Sequence, residues 1–134
     1  MMRRSAFRLP RHPTSVGLAR HRVRDHLEGW EQEGGTVESV VLVVSELATN
    51  AVRHSPLLER EFEVAVTVHS DGSCVVEVSD GDAQSRPVPR DAGDGDESGR
   101  GLRLVQALSD TWGVRERGRY GKTVWAVLAE PAAG

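Results

Sequence analysis

The sequence predicts an α+β fold, a two-layer sandwich in which helices cover one face of a mostly antiparallel sheet. Three observations predict it. Two stretches with apolar residues at helical intervals come first, over about 13–33 and 36–54. Two pairs of alternating segments follow, each joined by a turn signal, and adjacent hairpins make antiparallel neighbours. A single further helical segment separates the two pairs, so the helices must pack together on one side of the sheet. The chain has 134 residues, 38% apolar and 28% charged, which suits one core and argues against wholesale disorder.

Residues 1–12 are basic, and they contain one apolar alternation, Phe7 and Leu9, before Pro13. They form a tail or a short edge strand. Pro13-Thr14-Ser15 opens a first helix whose face is Val16, Leu18, Ala19, Val23, Leu27 and Trp30, and Gly34-Gly35 is expected to stop it. Thr36 is placed to N-cap a second helix, with Glu38 in the first turn, where the helix dipole favours a negative charge. Val37, Val40, Val41, Val44, Leu47, Ala48, Ala51 and Val52 carry that helix to His54, and Pro56 ends it.

The period then falls to two. Phe62, Val64, Val66 and Val68 alternate with polar or small residues, Asp71-Gly72 is a hairpin signal, and Cys74, Val76 and Val78 alternate beyond it. Residues 81–98 are aperiodic and rich in Gly, Asp, Pro and Ser, a long loop of the kind that more often serves as a functional lid than as a spacer. A helix resumes at about Leu102, with Val105 and Leu108 apolar, and two strands over about 111–117 and 121–129 flank Gly118-Arg119-Tyr120-Gly121. The expected folded body is 13–130, with 131–134 a short C-terminal tail.

Charge narrows the function classes. The net charge is −3, yet residues 1–24 hold seven Arg and no carboxylate, while the rest holds ten basic against twenty acidic residues. An acidic body leaves duplex DNA only the arm to bind, and no helix-turn-helix pattern supports it, so nucleic acid is not an expected partner. The longest apolar run, Val40–Val44, is far short of a membrane span, and no apolar stretch follows the basic start to make a secretory signal. The expectation is a cytoplasmic protein. Cys74 is the only cysteine, which excludes an intramolecular disulfide and a Cys-cluster zinc site, and the five His show no zinc-type grouping.

Four polar features remain. Glu46, Asn50 and His54 recur every four residues and form one helix stripe. That stripe is either a solvated edge or a carboxylate and an amide oxygen sharing a cation or a cation-bound phosphate. Asp80 falls where a strand ends; it caps a turn, or it accepts hydrogen bonds from an amino group such as adenine's. Ser98-Gly99-Arg100-Gly101-Leu102 enters a helix, either as a hinge or as a backbone cradle whose N–H groups face an anion. Gly121-Lys122-Thr123-Val124-Trp125 opens the last strand, as a plain turn and buried strand or as part of the same site. The glycines do not match Walker spacing, and Ser45-Glu46 lacks a nucleophile elbow.

In this order the four features resemble the GHKL superfamily of ATP-binding domains. Val43-Val44-Ser45-Glu46-Leu47-Ala48-Thr49-Asn50-Ala51-Val52-Arg53-His54-Ser55 looks most like the anti-sigma-factor serine kinases and the stand-alone regulatory ATP-binding proteins of actinobacteria. The likeness spans about 13–129. It implies a Bergerat fold holding ATP with Mg²⁺ between the helices and a lid. By the same resemblance, Asn50 holds Mg²⁺ against the phosphates, Glu46 is the general base, and Asp80 reads adenine. Gly99, Gly101 and Leu102 match the lid end near the phosphates, and Thr123 supports the adenine contact. His54, Arg100 and Lys122 are near the site by placement alone.

Residues 80–98 carry six carboxylates (Asp80, Asp82, Asp91, Asp94, Asp96 and Glu97) against Arg86 and Arg90, a field that would repel a triphosphate unless Mg²⁺ neutralised it. The function implied is an ATP-Mg²⁺-dependent regulator of transcription that switches between protein partners: a sigma factor, and a small antagonist protein whose serine it phosphorylates. The resemblance also suggests a homodimer. The alternative is a protein-binding module with a degenerate nucleotide site and no kinase activity. Its motivation is the run Asp80-Gly81-Asp82-Ala83-Gln84, which lacks the two glycines that usually follow the adenine-reading Asp in this superfamily.

Overall fold

A computed structural model describes residues 2–32, 35–54, 61–80, 97–116 and 121–129, apart from the side chains of 35, 54 and 97–101. Most of the expected lid, 81–96, lies outside the described residues. The elements run β1 (Arg3–Pro10), α1 (Thr14–Gly29), α2 (Gly35–His54), β2 (Glu61–Val68), β3 (Cys74–Asp80), α3 (Glu97–Leu108), β4 (Thr111–Glu116) and β5 (Lys122–Leu128). One antiparallel sheet has the order β1-β2-β3-β5-β4. It is the α+β sandwich that the sequence predicts.

Strand alternation decides which residues meet the helices. Phe62, Val64, Val66 and Val68 of β2 join Cys74, Val76 and Val78 of β3 and Val124, Ala126 and Leu128 of β5 in one buried layer. Ala19, Val23 and Leu27, one turn apart on α1, are buried where that helix packs against α2 and β1. Helix α2 is the centre of the molecule, touching α1, α3 and β3, and it buries Val37, Val40, Val41, Val43, Val44, Leu47, Ala48 and Ala51. A helix apolar nearly all round needs neighbours on several sides, and these supply them. No helix among the described residues is long and apolar enough to cross a membrane.

The basic arm is built into the fold. Arg3–Pro10 pairs along its whole length with β2, from Arg3 opposite Val68 to Pro10 opposite Glu61. His26 of α1 lies between Phe7 and Trp30, with ring centroids 6.3 and 5.6 Å away, and shares a 2.9 Å hydrogen bond with Ser5 Oγ. Arg22 lies over the Phe7 ring at 5.2 Å. Arg11 Nε donates to the carbonyl of Val52 in the last turn of α2, where the helix dipole favours a cation. Arg24 pairs with Glu38 through both carboxylate oxygens, at 2.6 and 3.2 Å, and holds that carboxyl below its ordinary range. The arm's charge is largely spent on its own fold.

Three boundaries differ from expectation. Helix α1 stops at Gly29, not at Gly34-Gly35, because Glu31 takes a left-handed φ of 64° and the Gln32 N–H bonds back to the Leu27 carbonyl at 2.8 Å. Helix α2 starts at Gly35, so Thr36 lies inside it. Helix α3 starts at Glu97, about five residues before Leu102, and absorbs Gly99 and Gly101. Glycine costs roughly 1 kcal/mol in a helix, but buried Leu102 and Val105 anchor α3 firmly enough to carry it.

Candidate functional site

Sheet register and helix direction bring the candidate residues to one end of the molecule. Ser79 lies opposite Glu63 and Thr123, and Thr123 opposite Arg115, so the start of β2, the end of β3, the start of β5 and the end of β4 coincide. Only six residues separate the end of α2 at His54 from the start of β2 at Glu61. Helix α3, about 18 Å long by its helical rise, leads two residues after Leu108 into β4 at the far end, so its N-terminus returns to the end where Asp80 sits.

Asn50 carries the clearest signal. It is 6% exposed, and its Nδ2 is buried without a hydrogen-bond partner among the described residues. Leaving such a group unpaired costs roughly 1–3 kcal/mol, so an orphan amide in the best-packed helix calls for a ligand. Turning the amide by 180° puts the oxygen where the nitrogen stands, and a hard oxygen donor is what Mg²⁺ prefers. Glu46, one turn earlier, is half-buried on the same stripe. Thr49 spends its hydroxyl on the carbonyl of Ser45 at 2.7 Å. Among the described residues no three His, Cys, Asp or Glu gather as a metal cage. A divalent ion here would take one oxygen from Asn50 and the remainder from phosphates and water, the usual way a protein shares Mg²⁺ with a nucleotide.

Asp80 ends β3 on the helix-facing side, directly opposite Lys122. Lys122 Nζ lies 3.6 Å from Asp80 Oδ1, and each side chain is 4% exposed. Lys122 is the only lysine in the chain. Thr123 faces the other way. One residue along a strand reverses a side chain, so Thr123 turns to the face away from the helices, where its hydroxyl shares a 2.7 Å hydrogen bond with Ser79 Oγ. The structure brings Lys122, not Thr123, to Asp80. Period-two counting back from buried Val124 would have found this. Thr123→Val should therefore leave Ser79 without its partner and cost about 1–2 kcal/mol in chemical denaturation.

Leu102 is fully buried in α3 as a packing residue. Gly99, Arg100 and Gly101 occupy the first five positions of that helix, whose opening backbone N–H groups have no intrahelical acceptors. The side chains of His54 and Arg100 lie outside the described residues. A cavity of about 350 Å³ bounded by Arg3, Trp30, His69 and Asp71 sits at the opposite end of the sheet, remote from all of these groups.

Comparisons with known proteins agree with this architecture. A family model described as a histidine kinase-like ATPase domain matches residues 9–128. An uncharacterised protein of Streptomyces coelicolor is 44% identical over 70 residues, covering 52% of this chain and 63% of that protein. Among solved structures, the RsbU and RsbW domains of Rv1364c from Mycobacterium tuberculosis superpose with a TM-score of 0.72 at 20% identity, over 97% of this chain and 34% of that one. The SiaB–SiaC complex of Pseudomonas aeruginosa gives 0.63 at 20% identity, over 92% and 88%. A blue-light activated histidine kinase domain of Erythrobacter litoralis gives 0.53 at 22% identity, over 85% and 60%. The chain thus spans only part of several relatives. With the family model running from the end of β1 to the end of β5, the chain belongs to the histidine kinase-like ATPase domain family, within the GHKL superfamily.

Proposed function

We propose that this protein binds ATP with Mg²⁺ at the end of the sheet where α2, α3, Asp80 and Lys122 converge, and that it acts as a partner-switching regulatory kinase. The observation that carries the reading is the orphaned amide of buried Asn50, a polar group left unsatisfied on the helix that forms the wall of the site. Family membership supplies the ligand class. Asn50 would hold the metal, whose role is to neutralise the phosphates against the acidic segment and polarise the transferred group. Asp80 would accept a hydrogen bond from the adenine amino group, and the first N–H groups of α3 would face the phosphates.

Glu46 would take the proton from an incoming hydroxyl. It lies one helical turn from Asn50, so base and metal ligand share one rigid scaffold, and positioning supplies much of the rate. A protein partner is supported by the neighbour whose structure contains two proteins, SiaB with SiaC; that the partner is an antagonist bearing the acceptor serine rests on the sequence resemblance. A sigma factor as the released partner, control of transcription, and a homodimer rest on the sequence resemblance. Glu46→Ala should keep Mg²⁺-ATP affinity within about three-fold and lower phosphate transfer by about 100-fold or more. Calorimetry and a phosphotransfer assay check the two halves, and equal transfer by both proteins would remove Glu46 as the base. A protein-binding module with a degenerate nucleotide site remains the second reading, favoured by the eroded glycines after Asp80. It predicts no calorimetric signal with Mg²⁺-ATP.

A further inference from the structure

We infer that Lys122 is a second base-reading residue, donating a hydrogen bond to a ring nitrogen of adenine beside the amino group that Asp80 accepts. The inference rests on the ATP reading above and adds a specificity determinant to it. Its basis is the cross-strand pairing of Asp80 with Lys122 on the helix-facing side of the sheet. At 3.6 Å the contact is longer than a charge-assisted hydrogen bond, so the two groups attract without being locked together. An ammonium has three N–H donors and a carboxylate about four acceptor directions, so a base can join the contacts each already makes.

The pair therefore presents an acceptor and a donor side by side, on the strand ends that border the site. Adenine's amino group lies between two ring nitrogens, N1 and N7, and both are acceptors. On whichever side of that amino group Lys122 falls, it meets a lone pair. Guanine replaces the amino group by a carbonyl oxygen, which would face the Asp80 carboxylate, and it replaces the N1 lone pair by an N–H. On the N1 side the couple thus favours adenine over guanine more strongly than a lone carboxylate does; on the N7 side guanine keeps the ring acceptor, and Asp80 alone carries the preference. Both side chains are nearly inaccessible to water, which strengthens a charge-assisted contact made there.

The test uses the wild-type chain and four nucleotides with Mg²⁺: ATP, GTP, 1-deaza-ATP and 7-deaza-ATP, measured by calorimetry. One of the two deaza analogues should bind about 10–100-fold more weakly than ATP, the value of one hydrogen bond to a charged donor. GTP should bind more weakly than ATP, since its carbonyl oxygen meets the Asp80 carboxylate. Because Lys122 is the only lysine, ¹⁵N labelling gives a single side-chain ammonium signal. That signal should shift with Mg²⁺-ATP and stay in place with Mg²⁺-tripolyphosphate, which has no base. In Lys122→Gln the discrimination between the two deaza analogues should shrink to within about three-fold. ATP bound with both deaza analogues equal to it, or with an unmoved lysine signal, would overturn this inference and leave ATP binding standing. Failure of ATP itself to bind would overturn the parent reading along with it.

Discussion

Asn50→Leu should make the protein more stable while abolishing its binding of Mg²⁺-ATP. The substitution is close to isosteric, and it removes a buried amide nitrogen that has no partner. Relief of that desolvation should raise stability by about 1 kcal/mol, equivalent to roughly 2–6 °C in melting temperature for a chain of this size. Its surroundings favour the change, since Leu47, Ala48 and Ala51 on the same helix are apolar and buried. Meanwhile the only protein oxygen proposed for the metal would be gone, and affinity should fall by at least about 100-fold. Thermal melts without nucleotide and calorimetry with it would read the two effects separately. A destabilised variant, or one that still bound Mg²⁺-ATP, would show that the amide serves the core and not a ligand. Opposite signs in the two measurements are what a functional polar group in a hydrophobic helix should produce, because the fold bears its cost until the ligand arrives.

The second large effect concerns the buried pair. Asp80→Ala or Lys122→Ala alone should destabilise the protein by about 3–5 kcal/mol, since each leaves an uncompensated charge beside β3 or β5. Replacing both, as Asp80→Leu with Lys122→Met, should recover most of that loss, so a double-mutant cycle would show coupling of about 2 kcal/mol or more. Urea titration of the four proteins measures it. Additive losses would mean that Asp80 and Lys122 draw their stabilisation from other neighbours. The double variant should also lose adenine binding despite its restored fold, separating the pair's structural role from its proposed recognition role. By contrast, the ion pairs on the outer face of the sheet, Arg8–Glu63 at 3.7 Å and Arg4–Glu77 at 3.8 Å, are partly exposed and contribute about 1 kcal/mol at most.

Much of this architecture was legible from spacing alone. Strands β2 to β5 and the end of α2 follow directly from two-residue alternation and from Pro56, because side-chain period is fixed by backbone geometry and survives any tertiary context. Helix ends were less legible. Trp30 fits the helical stripe of α1, yet the helix closes there because Glu31 turns left-handed and the Gln32 N–H bonds back to the Leu27 carbonyl, which no residue type in the stretch announces. The glycines of α3 read as loop because local propensity is all that sequence shows, whereas packing of Leu102 and Val105 decides the outcome. The basic arm read as either tail or strand, and β2 settles it as a strand.

The site divides along the same line. Asn50 and Asp80 stood out by residue type and position. Lys122 and Thr123 are adjacent letters, and only the register of β5 against β3 separates the one that faces Asp80 from the one that bonds to Ser79. Burial of Asn50 without a partner is likewise a fact of three dimensions. No pattern of neighbours in a sequence reveals which amide will be left unsatisfied.

The order of the sheet has a consequence for synthesis. Strand β5 is made last, yet it lies between β3 and β4, which are made before it. Until it emerges, the edge of β3 stays open and the Asp80 carboxylate faces water without its ammonium. A nascent chain can assemble α1, α2 and the β2–β3 hairpin early, but the proposed adenine site at Asp80 and Lys122 is incomplete until its final strand slides into the gap. On that proposal, loading of the ligand would be tied to completion of the polypeptide.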